Sequence, residues 1–326
     1  MTRRNLVGLL MAGAASAPAC SIRGGGPQRG LISICNSGHF AILGARRGLN
    51  SRSELVPSAI TARGLDAGQL QLASSPPPHL LSLSPDGAWV AWVPENSLPD
   101  SYGRGGQPLV CFTDDPRSAR TISYDGWFGI RIAVSSDAVR LAVIALGTVG
   151  SRLFYRLLVL RPTTGETADD LTGVAAGIDL GKVDRLRLSS SGARLVVGSG
   201  GSFAVMDLQE RSVLFKGAGR YPCISPSGEE VAFVDPRGKL ALVGLATGVT
   251  RYPLRSGTAY GVGSWTPDGS MLLAFVKTPL ALDAGLVVID GSTGGYAEIT
   301  SLDEWNLGQD CALVKIALLT ATRIAR

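Results

Sequence analysis

Residues 81–93 of this 326-residue chain read Leu81-Ser-Leu-Ser-Pro-Asp-Gly-Ala-Trp-Val-Ala-Trp-Val93, in which a short turn separates two apolar runs. In such a turn proline fixes the first corner, aspartate hydrogen-bonds back to the main chain, and glycine takes a positive φ that other residues avoid. The flanking runs are rich in valine, leucine and tryptophan, which is typical of half-buried strands. The segment therefore predicts a β-hairpin.

The same hairpin pattern recurs along the chain. Two further clear copies contain Ser225-Pro-Ser-Gly228 and Thr266-Pro-Asp-Gly269, and three weaker copies have their turns at Gly38, Ala138 and Gly192. Neighbouring turns are 36 to 54 residues apart, which leaves room for four short strands in each repeat. Third strands are expected at residues 109–113, 154–160, 203–208, 240–245 and 286–290, and a fourth strand is expected, for instance, at 297–300.

Repeats of four antiparallel strands form the blades of a β-propeller. The six repeats predict an all-β fold, namely a six-bladed β-propeller of four-stranded antiparallel blades. We expect N-terminal strands from residues 31–43 and C-terminal strands near residues 305–314 to share one blade, which would close the ring and remove exposed sheet edges. Seven blades are less favoured, because residues 301–326 alone are too few to form another one.

The repeated turns resemble those of the TolB-like and WD-repeat-like β-propellers of bacterial envelopes, over residues 31–300. The resemblance is carried by Ser84-Pro-Asp-Gly87 together with the two clear copies given above. It implies a propeller that binds a protein partner. The chain has no Trp-Asp dipeptide, and two of its six turns lack both proline and aspartate, so no binding residue is transferred from the family.

The composition excludes several classes of protein. Apolar residues make up 45% of the chain and charged residues 17%, which excludes a disordered protein. The 42 glycines do not recur at every third position, which excludes collagen. The net charge is +5, and the 26 arginines and 5 lysines are scattered rather than gathered in a basic stripe. We therefore expect no nucleic-acid partner.

The N-terminus has the pattern of a bacterial export signal. Arg3 and Arg4 precede an uncharged run that ends in small residues at Ala19, and their order resembles a twin-arginine signal. Two processing routes remain open, namely lipidation of Cys20 as the new N-terminus or cleavage after Ala19 without a lipid. We expect a signal peptide at 1–19, a flexible Gly-rich tether at 20–30 and a single propeller domain at 31–326. The expected location is the periplasm or cell envelope, with membrane attachment only through the lipid.

Few residues of the chain are suited to chemistry. We expect that Cys35 and Cys311 can form a disulfide if the chain closes on itself in an oxidising compartment. The chain has two histidines, no Cys-x-x-Cys pair and no Gly-x-Ser-x-Gly elbow. These features predict no catalytic residue, no metal and no cofactor.

The Ser-Pro-Asp-Gly turns are expected on one face of the disc and the longer loops on the other, where binding residues on rigid scaffolds are usually found. These longer loops are expected at residues 94–108, 123–131, 172–182, 255–263 and 277–285. The first two combine aromatic and cationic residues, and the predicted partner-binding residues are Tyr102, Arg104, Tyr124, Trp127, Phe128 and Arg131. An alternative role for Trp127 and Phe128 is to fill the gap between two blades.

Two functions are consistent with this sequence. The first is a non-enzymatic, monomeric envelope propeller that binds a protein or peptide partner through its long-loop face. The second is a propeller enzyme, such as a metal-dependent lactonase or another hydrolase, with its site in the central channel. Carboxylates on the innermost strands would favour the enzyme, whereas an apolar and aromatic face would favour the binding protein.

Overall fold

The computed structural model shows a chain built from short antiparallel strands. It describes residues 40–47, 53–61, 64–67, 78–85, 89–94, 108–112, 120–122, 128–149, 152–175, 177–266, 268–277, 285–301 and 316–320. Within these ranges the strands form six four-stranded antiparallel sheets, numbered I to VI in chain order. The prediction of an all-β chain of four-stranded antiparallel sheets is confirmed.

The sheets are formed by strands that follow one another in the sequence, with one exception in sheet I. Sheet I contains β1 (Phe40–Arg47), β2 (Ser53–Thr61), β3 (Gly64–Ala67) and the late strand β24 (Ile316–Thr320). Sheet II contains β4 (Pro78–Leu83), β5 (Trp89–Pro94), β6 (Leu109–Phe112) and β7 (Arg120–Thr121). Sheet III contains β8 (Phe128–Val134), β9 (Leu141–Val149), β10 (Arg152–Leu160) and β11 (Thr167–Asp170).

The remaining three sheets repeat this arrangement. Sheet IV contains β12 (Val183–Leu188), β13 (Arg194–Ser199), β14 (Ser202–Asp207) and β15 (Ser212–Ala218). Sheet V contains β16 (Arg220–Ile224), β17 (Glu230–Val234), β18 (Leu240–Gly244) and β19 (Thr250–Arg251). Sheet VI contains β20 (Thr258–Trp265), β21 (Met271–Lys277), β22 (Gly285–Asp290) and β23 (Tyr296–Ser301). The sequence predicted the bounds of five third strands and one fourth strand. Each predicted bound lies within two residues of the observed one.

The first strands of neighbouring sheets pack against one another. β4 contacts β8, and the contacts continue from β8 to β12, β16, β20 and finally β24. We call these six strands the inner strands. An apolar cluster fills the space between neighbouring sheets: one lies between sheets II and III, one between III and IV, one between IV and V, and one between V and VI. The sheets therefore fan outward from the inner strands, with the core divided into layers.

The turn between the first and second strand depends on a serine or threonine at its start. In sheets II to VI the hydroxyl of this residue accepts a hydrogen bond from the backbone N–H five residues later, at 2.9–3.1 Å; the residues are Ser84, Ser135, Ser189, Ser225 and Thr266. The third residue after the hydroxyl has positive φ at four of these turns, with 51° at Ala138, 66° at Gly192, 81° at Gly228 and 74° at Gly269. The hydroxyl is thus common to all five turns, whereas proline, aspartate and glycine are replaceable.

Strand direction assigns each connection to one of two faces. The turns between first and second strands define the turn face. The opposite end of the sheets is called the loop face. The first strands begin there, and the hairpins between second and third strands lie there. Two of the expected loops are shorter than predicted, because β8 begins at Phe128 and β20 at Thr258. No helix among the described residues is long and apolar enough to cross a membrane.

Candidate binding site at the loop face

Five inner strands carry a β-bulge near their first residues. The register shifts between Pro78 and Leu80, Gly129 and Arg131, Val183 and Arg185, Arg220 and Cys223, and Ala259 and Gly261. A bulge inserts one extra residue, twists the strand and redirects the side chains beside it. The repeated bulges therefore change the direction of the side chains at the loop-face end of the inner strands.

Arginine and tyrosine residues stand at or next to these bulges, at the loop-face end of the inner strands. We call this group the arginine–tyrosine cluster, and it consists of Arg131, Arg185, Arg220, Tyr221 and Tyr260. Tyr260 is 46% exposed, Arg220 is exposed, and Arg131 and Tyr221 are half-buried. The cluster thus has an accessible rim and a buried interior.

Arg185 forms the buried interior of the cluster. Its side chain extends from β12 beyond the neighbouring β16, since Nη2 donates a hydrogen bond to the carbonyl of Val262 in β20 at 3.3 Å. The guanidinium lies 5.2 Å from the centre of the Tyr221 ring, a cation–π distance. The residue is 3% exposed. Burial, together with the positive charge of Arg187, lowers the pKa of Arg185 to about 9.

Tyr221 is held in a conformation that is rare for an aromatic residue. Its φ is +54°, in the left-handed region that costs a non-glycine residue about 1 kcal/mol or more. The bulge of β16 that contains it packs closely on β13, where the partner of Arg185 in the register is Gly198. A Cβ on Gly198 would lie 2.9 Å from Cγ of Pro222, so this approach requires glycine.

Arg187 lies beside the thiol of Cys223. Burial lowers the pKa of Arg187, while the thiol, which accepts a hydrogen bond from it, acts in the opposite direction. Burial raises the pKa of Cys223, so the thiol stays protonated. Cys223 is reduced, and its carbonyl accepts a hydrogen bond from Nε1 of Trp265 at 3.2 Å. It acts as a small core residue rather than as a nucleophile.

Arg131 occupies the same position in β8 that Arg185 occupies in β12, directly after the bulge. Its Nη1 donates a hydrogen bond to the carbonyl of Ile130 at 2.6 Å. Burial lowers the pKa of Arg131, and the carboxylate of Asp184 on β12 acts against this shift. Asp184 is the one acidic residue in the described inner strands. Within the described ranges, no group of three or more histidine, cysteine or acidic side chains could hold a metal ion.

A hairpin projects from the loop face beside this cluster. Phe128, the first residue of β8, pairs with Leu146, whereas β9 continues to Val149. At about 3.3 Å per residue, the hairpin between β9 and β10 extends about 10 Å further. At its tip Leu153 is 62% exposed and Phe154 is 43% exposed.

The base of this hairpin is firmly held. The Tyr155 ring packs on Gly181 of a short 3-10 turn, Leu180–Lys182. Arg156 pairs with Asp170, and the neighbouring Asp169 pairs with Arg211 of sheet IV.

The predicted partner-binding residues lie mostly outside the described residues. These are Tyr102, Arg104, Tyr124 and Trp127, together with Cys20, Cys35 and Cys311 of the other predictions. Phe128 and Arg131 were predicted in a loop, and this was wrong, because both belong to β8. The bulge between Gly129 and Arg131 accommodates this segment in a strand. The structure does not describe the side chain of Phe128. Arg131 is a member of the arginine–tyrosine cluster.

Sequence reasoning missed the other members of the cluster. A signal was present in the segment Val183-Asp-Arg-Leu-Arg-Leu188, which directly precedes a predicted turn. The first strand of a repeat is enclosed by its neighbours and should be apolar, yet this one contains two arginines. Charged residues at such positions indicate either a specific structural role or a binding site.

No protein-family model and no curated protein matches this chain. Solved structures do. TolB from Acinetobacter baumannii is 17% identical with a TM-score of 0.54, and the match covers 81% of this chain and 64% of the TolB chain. A chain of the nidogen/laminin complex is 9% identical with a TM-score of 0.54, covering 86% of this chain and 98% of that one. These similarities show a β-propeller fold.

Proposed function

We propose that this chain is a non-enzymatic β-propeller of the bacterial cell envelope that binds a protein or peptide partner through its loop face. The observation that carries this proposal is the arginine–tyrosine cluster, with the exposed hairpin tip of Leu153 and Phe154 beside it. Tyrosine and arginine are the residue types most enriched in the energetic centres of protein interfaces. Exposed apolar side chains beside them provide the area that such an interface buries.

The same proposal includes the finer architecture. Six sheets form six blades, and the antiparallel pairing of β24 with β1, in which Phe40 lies opposite Thr320, supports ring closure in sheet I. Closure holds the inner strands in a fixed arrangement, so the cluster is preorganised for a partner. The chain acts as a monomer, because the sheet edges that remain are outermost strands, and these are short at β7 and β19, with two residues each.

The export and anchoring predictions belong to the proposal as well. The twin-arginine-like segment at Arg3 and Arg4 supports export, and Cys20 is the proposed site of lipidation. An anchored propeller would be tethered to the envelope through residues 20–30 and present its loop face to a partner there.

Site-specific photo-cross-linking tests the proposed face. The full-length chain is expressed with a photoreactive amino acid at Leu153 on the loop face, or at exposed Ser227 on the turn face as the matched control. We expect a discrete cross-linked product in the envelope fraction from position 153 and none from position 227. Equal products from both positions, or no product from position 153, would contradict the proposal.

A further inference from the structure

We infer that the arginine–tyrosine cluster binds the carboxylates of an acidic peptide segment, which belongs to the partner in the function proposed above. This inference rests on that proposed function and specifies the chemistry of the partner. It concerns the inner strands at the loop face, where the bulges gather guanidinium groups from adjacent sheets.

The charge of the described inner strands is strongly one-sided at this end. Arg131, Arg185 and Arg220 lie here, and Asp184 is the one acidic residue in the described inner strands. Guanidinium groups hold a carboxylate through paired N–H donors in a planar fork. Several such groups at the convergence of packed sheets create a positive field that attracts an anionic segment.

The exposure of the individual groups fits a peptide that lies across the cluster. Arg220 and Tyr260 are exposed at the rim, and half-buried Arg131 is between the rim and the interior. Arg131 uses one N–H on the Ile130 carbonyl, out of the five that a guanidinium carries. The tyrosine rings offer apolar faces to the aliphatic part of the peptide. Buried Arg185 adds charge from beneath Tyr221.

The arrangement is costly for the protein itself. Arg185 is buried within the electrostatic range of Arg187, and the burial and repulsion lower its pKa. Tyr221, which covers it, has a left-handed backbone conformation. Buried charge and backbone strain reduce stability, and they are typically retained where a binding site requires them. A bound carboxylate would offset the repulsion between the arginines.

A structural role for the same arginines is the competing explanation. Arg185 donates to the carbonyl of Val262 and Arg131 to that of Ile130, so both cap backbone carbonyls of inner strands. If the arginines only cap these carbonyls, the protein should not bind an acidic peptide in preference to a neutral one. Selective binding of an acidic peptide therefore distinguishes the two explanations.

The test uses the full-length chain and three fluorescent peptides of equal length, made of glutamate, glutamine or lysine. Binding is measured by fluorescence anisotropy at about 0.15 M ionic strength, where exposed charges are screened beyond about 8 Å. The site variant carries Arg131→Gln and Arg220→Gln. The control variant carries Arg161→Gln and Lys216→Gln, which removes the same charge from exposed positions outside the cluster. Circular dichroism verifies that each variant is folded.

We expect the glutamate peptide alone to bind, and its affinity to fall about tenfold or more in the site variant but less than about twofold in the control. Equal binding of the glutamate and glutamine peptides, or an equal loss in both variants, would overturn the inference. If the cross-link from position 153 persists in that case, the proposed function stands and only the acidic chemistry fails. If the glutamate peptide binds as expected while the cross-link is absent, the protein-binding function fails and the anion site remains.

Discussion

On the turn face, arginines connect one hairpin turn to the next. Arg140 Nη1 donates to the carbonyl of Gly192 at 3.0 Å, and Arg194 Nη1 donates to that of Gly228 at 2.6 Å. On the loop face, Arg185 is buried against Tyr221, whose backbone is left-handed, and within the electrostatic range of Arg187. Arg185 also joins sheets, since it donates to the carbonyl of Val262 in sheet VI at 3.3 Å, but its buried charge has a desolvation cost that the half-buried turn-face arginines largely avoid.

Hydrogen bonds between sheets reinforce this contrast. The backbone N–H of Ser136 donates to the carbonyl of Ser190 at 3.0 Å, and the N–H of Ser190 donates to that of Pro226 at 2.9 Å. The turn face is therefore a connected hydrogen-bonded layer. The loop face also has such a bond, from the N–H of Ala259 to the carbonyl of Gly238 at 2.8 Å, but the inner strands there have bulges and the exposed Tyr260. The difference indicates that one end of the inner strands specifies the fold while the other end is available for binding.

The largest effect is expected from removing a turn hydroxyl. Ser225→Ala deletes the acceptor for the backbone N–H of Glu230, which is bonded at 3.0 Å. A buried donor without a partner costs about 1–3 kcal/mol, so the free energy of unfolding should fall by about that amount in denaturant titrations. The control, Ser256→Ala, changes an exposed serine outside these turns and should have less than half this effect. Equal losses would show that the hydroxyl pattern is not what holds the turns.

Arginines on the two faces should respond differently to the same substitution. Arg194→Met removes a bond between sheets and should lower the free energy of unfolding by about 1 kcal/mol. Arg185→Met also removes a bond between sheets, but it removes a buried charge with it, so stability should stay level or rise by about 1 kcal/mol. Chemical denaturation of both variants measures the difference. A loss for Arg185→Met as large as that for Arg194→Met would mean that the loop-face arginine is also structural.

Two residues with left-handed backbones allow a similar comparison. Ala138 on the turn face has φ +51° and Tyr221 in the cluster has φ +54°. Ala138→Gly relieves about 1–2 kcal/mol of left-handed strain but removes a buried methyl group worth about 0.8 kcal/mol, so the free energy of unfolding should rise by less than about 1 kcal/mol. Tyr221→Gly relieves the same strain but removes the ring over Arg185, so its gain in stability should be smaller and its binding of the glutamate peptide weaker. A gain from Tyr221→Gly without weaker binding would exclude the ring from the site.

Acid should weaken the turn face through Asp268. Burial alone would raise the pKa of Asp268, but hydrogen bonds from Thr266 and Ser270 hold it below the ordinary value. A carboxyl group with a depressed folded-state pKa stabilises the protein above about pH 4 and loses this contribution as the pH falls through the folded-state value. In thermal unfolding between about pH 5 and pH 2, Asp268→Asn should show a smaller loss of stability than the wild type. An identical pH profile would contradict this role.

The smallest effect on stability is expected at the projecting hairpin. Leu153→Ser changes an exposed side chain, so the free energy of unfolding should change by less than about 0.5 kcal/mol. A photoreactive amino acid placed at position 260, on the same face, reports partner binding in this variant. Its cross-linking to the partner should decrease, because the apolar tip contributes to the binding area. Unchanged cross-linking would restrict the site to the arginine–tyrosine cluster.

Much of the fold could be predicted from the sequence. The turns and the third strands were located because a turn signal between two apolar runs is a local pattern, and the repeats confirm one another. The bounds of the loops were less predictable. Residues 255–263 were predicted as a loop, but Thr258–Trp265, which contains Gly261 and Gly263, forms β20 with bulges. Local propensity does not show whether tertiary packing holds a glycine-rich segment in a strand.

The candidate site was mostly not predictable. Arg185 and Arg187 resemble solvated charges in the sequence, since their burial depends on sheets IV, V and VI meeting. The contact from Arg185 to Val262 joins residues 77 positions apart, and no spacing rule connects them. Tyr221 and Tyr260 became candidates only when the register showed a bulge at each of them.

Hydrogen–deuterium exchange of the full-length chain, with and without the glutamate peptide, tests most directly whether the loop face is the binding face. We expect added protection at residues 128–131, 183–187, 220–223 and 258–262, with no change in the turns at 135–140, 189–194 and 225–230. Protection confined to the turns, or spread evenly over both faces, would contradict it.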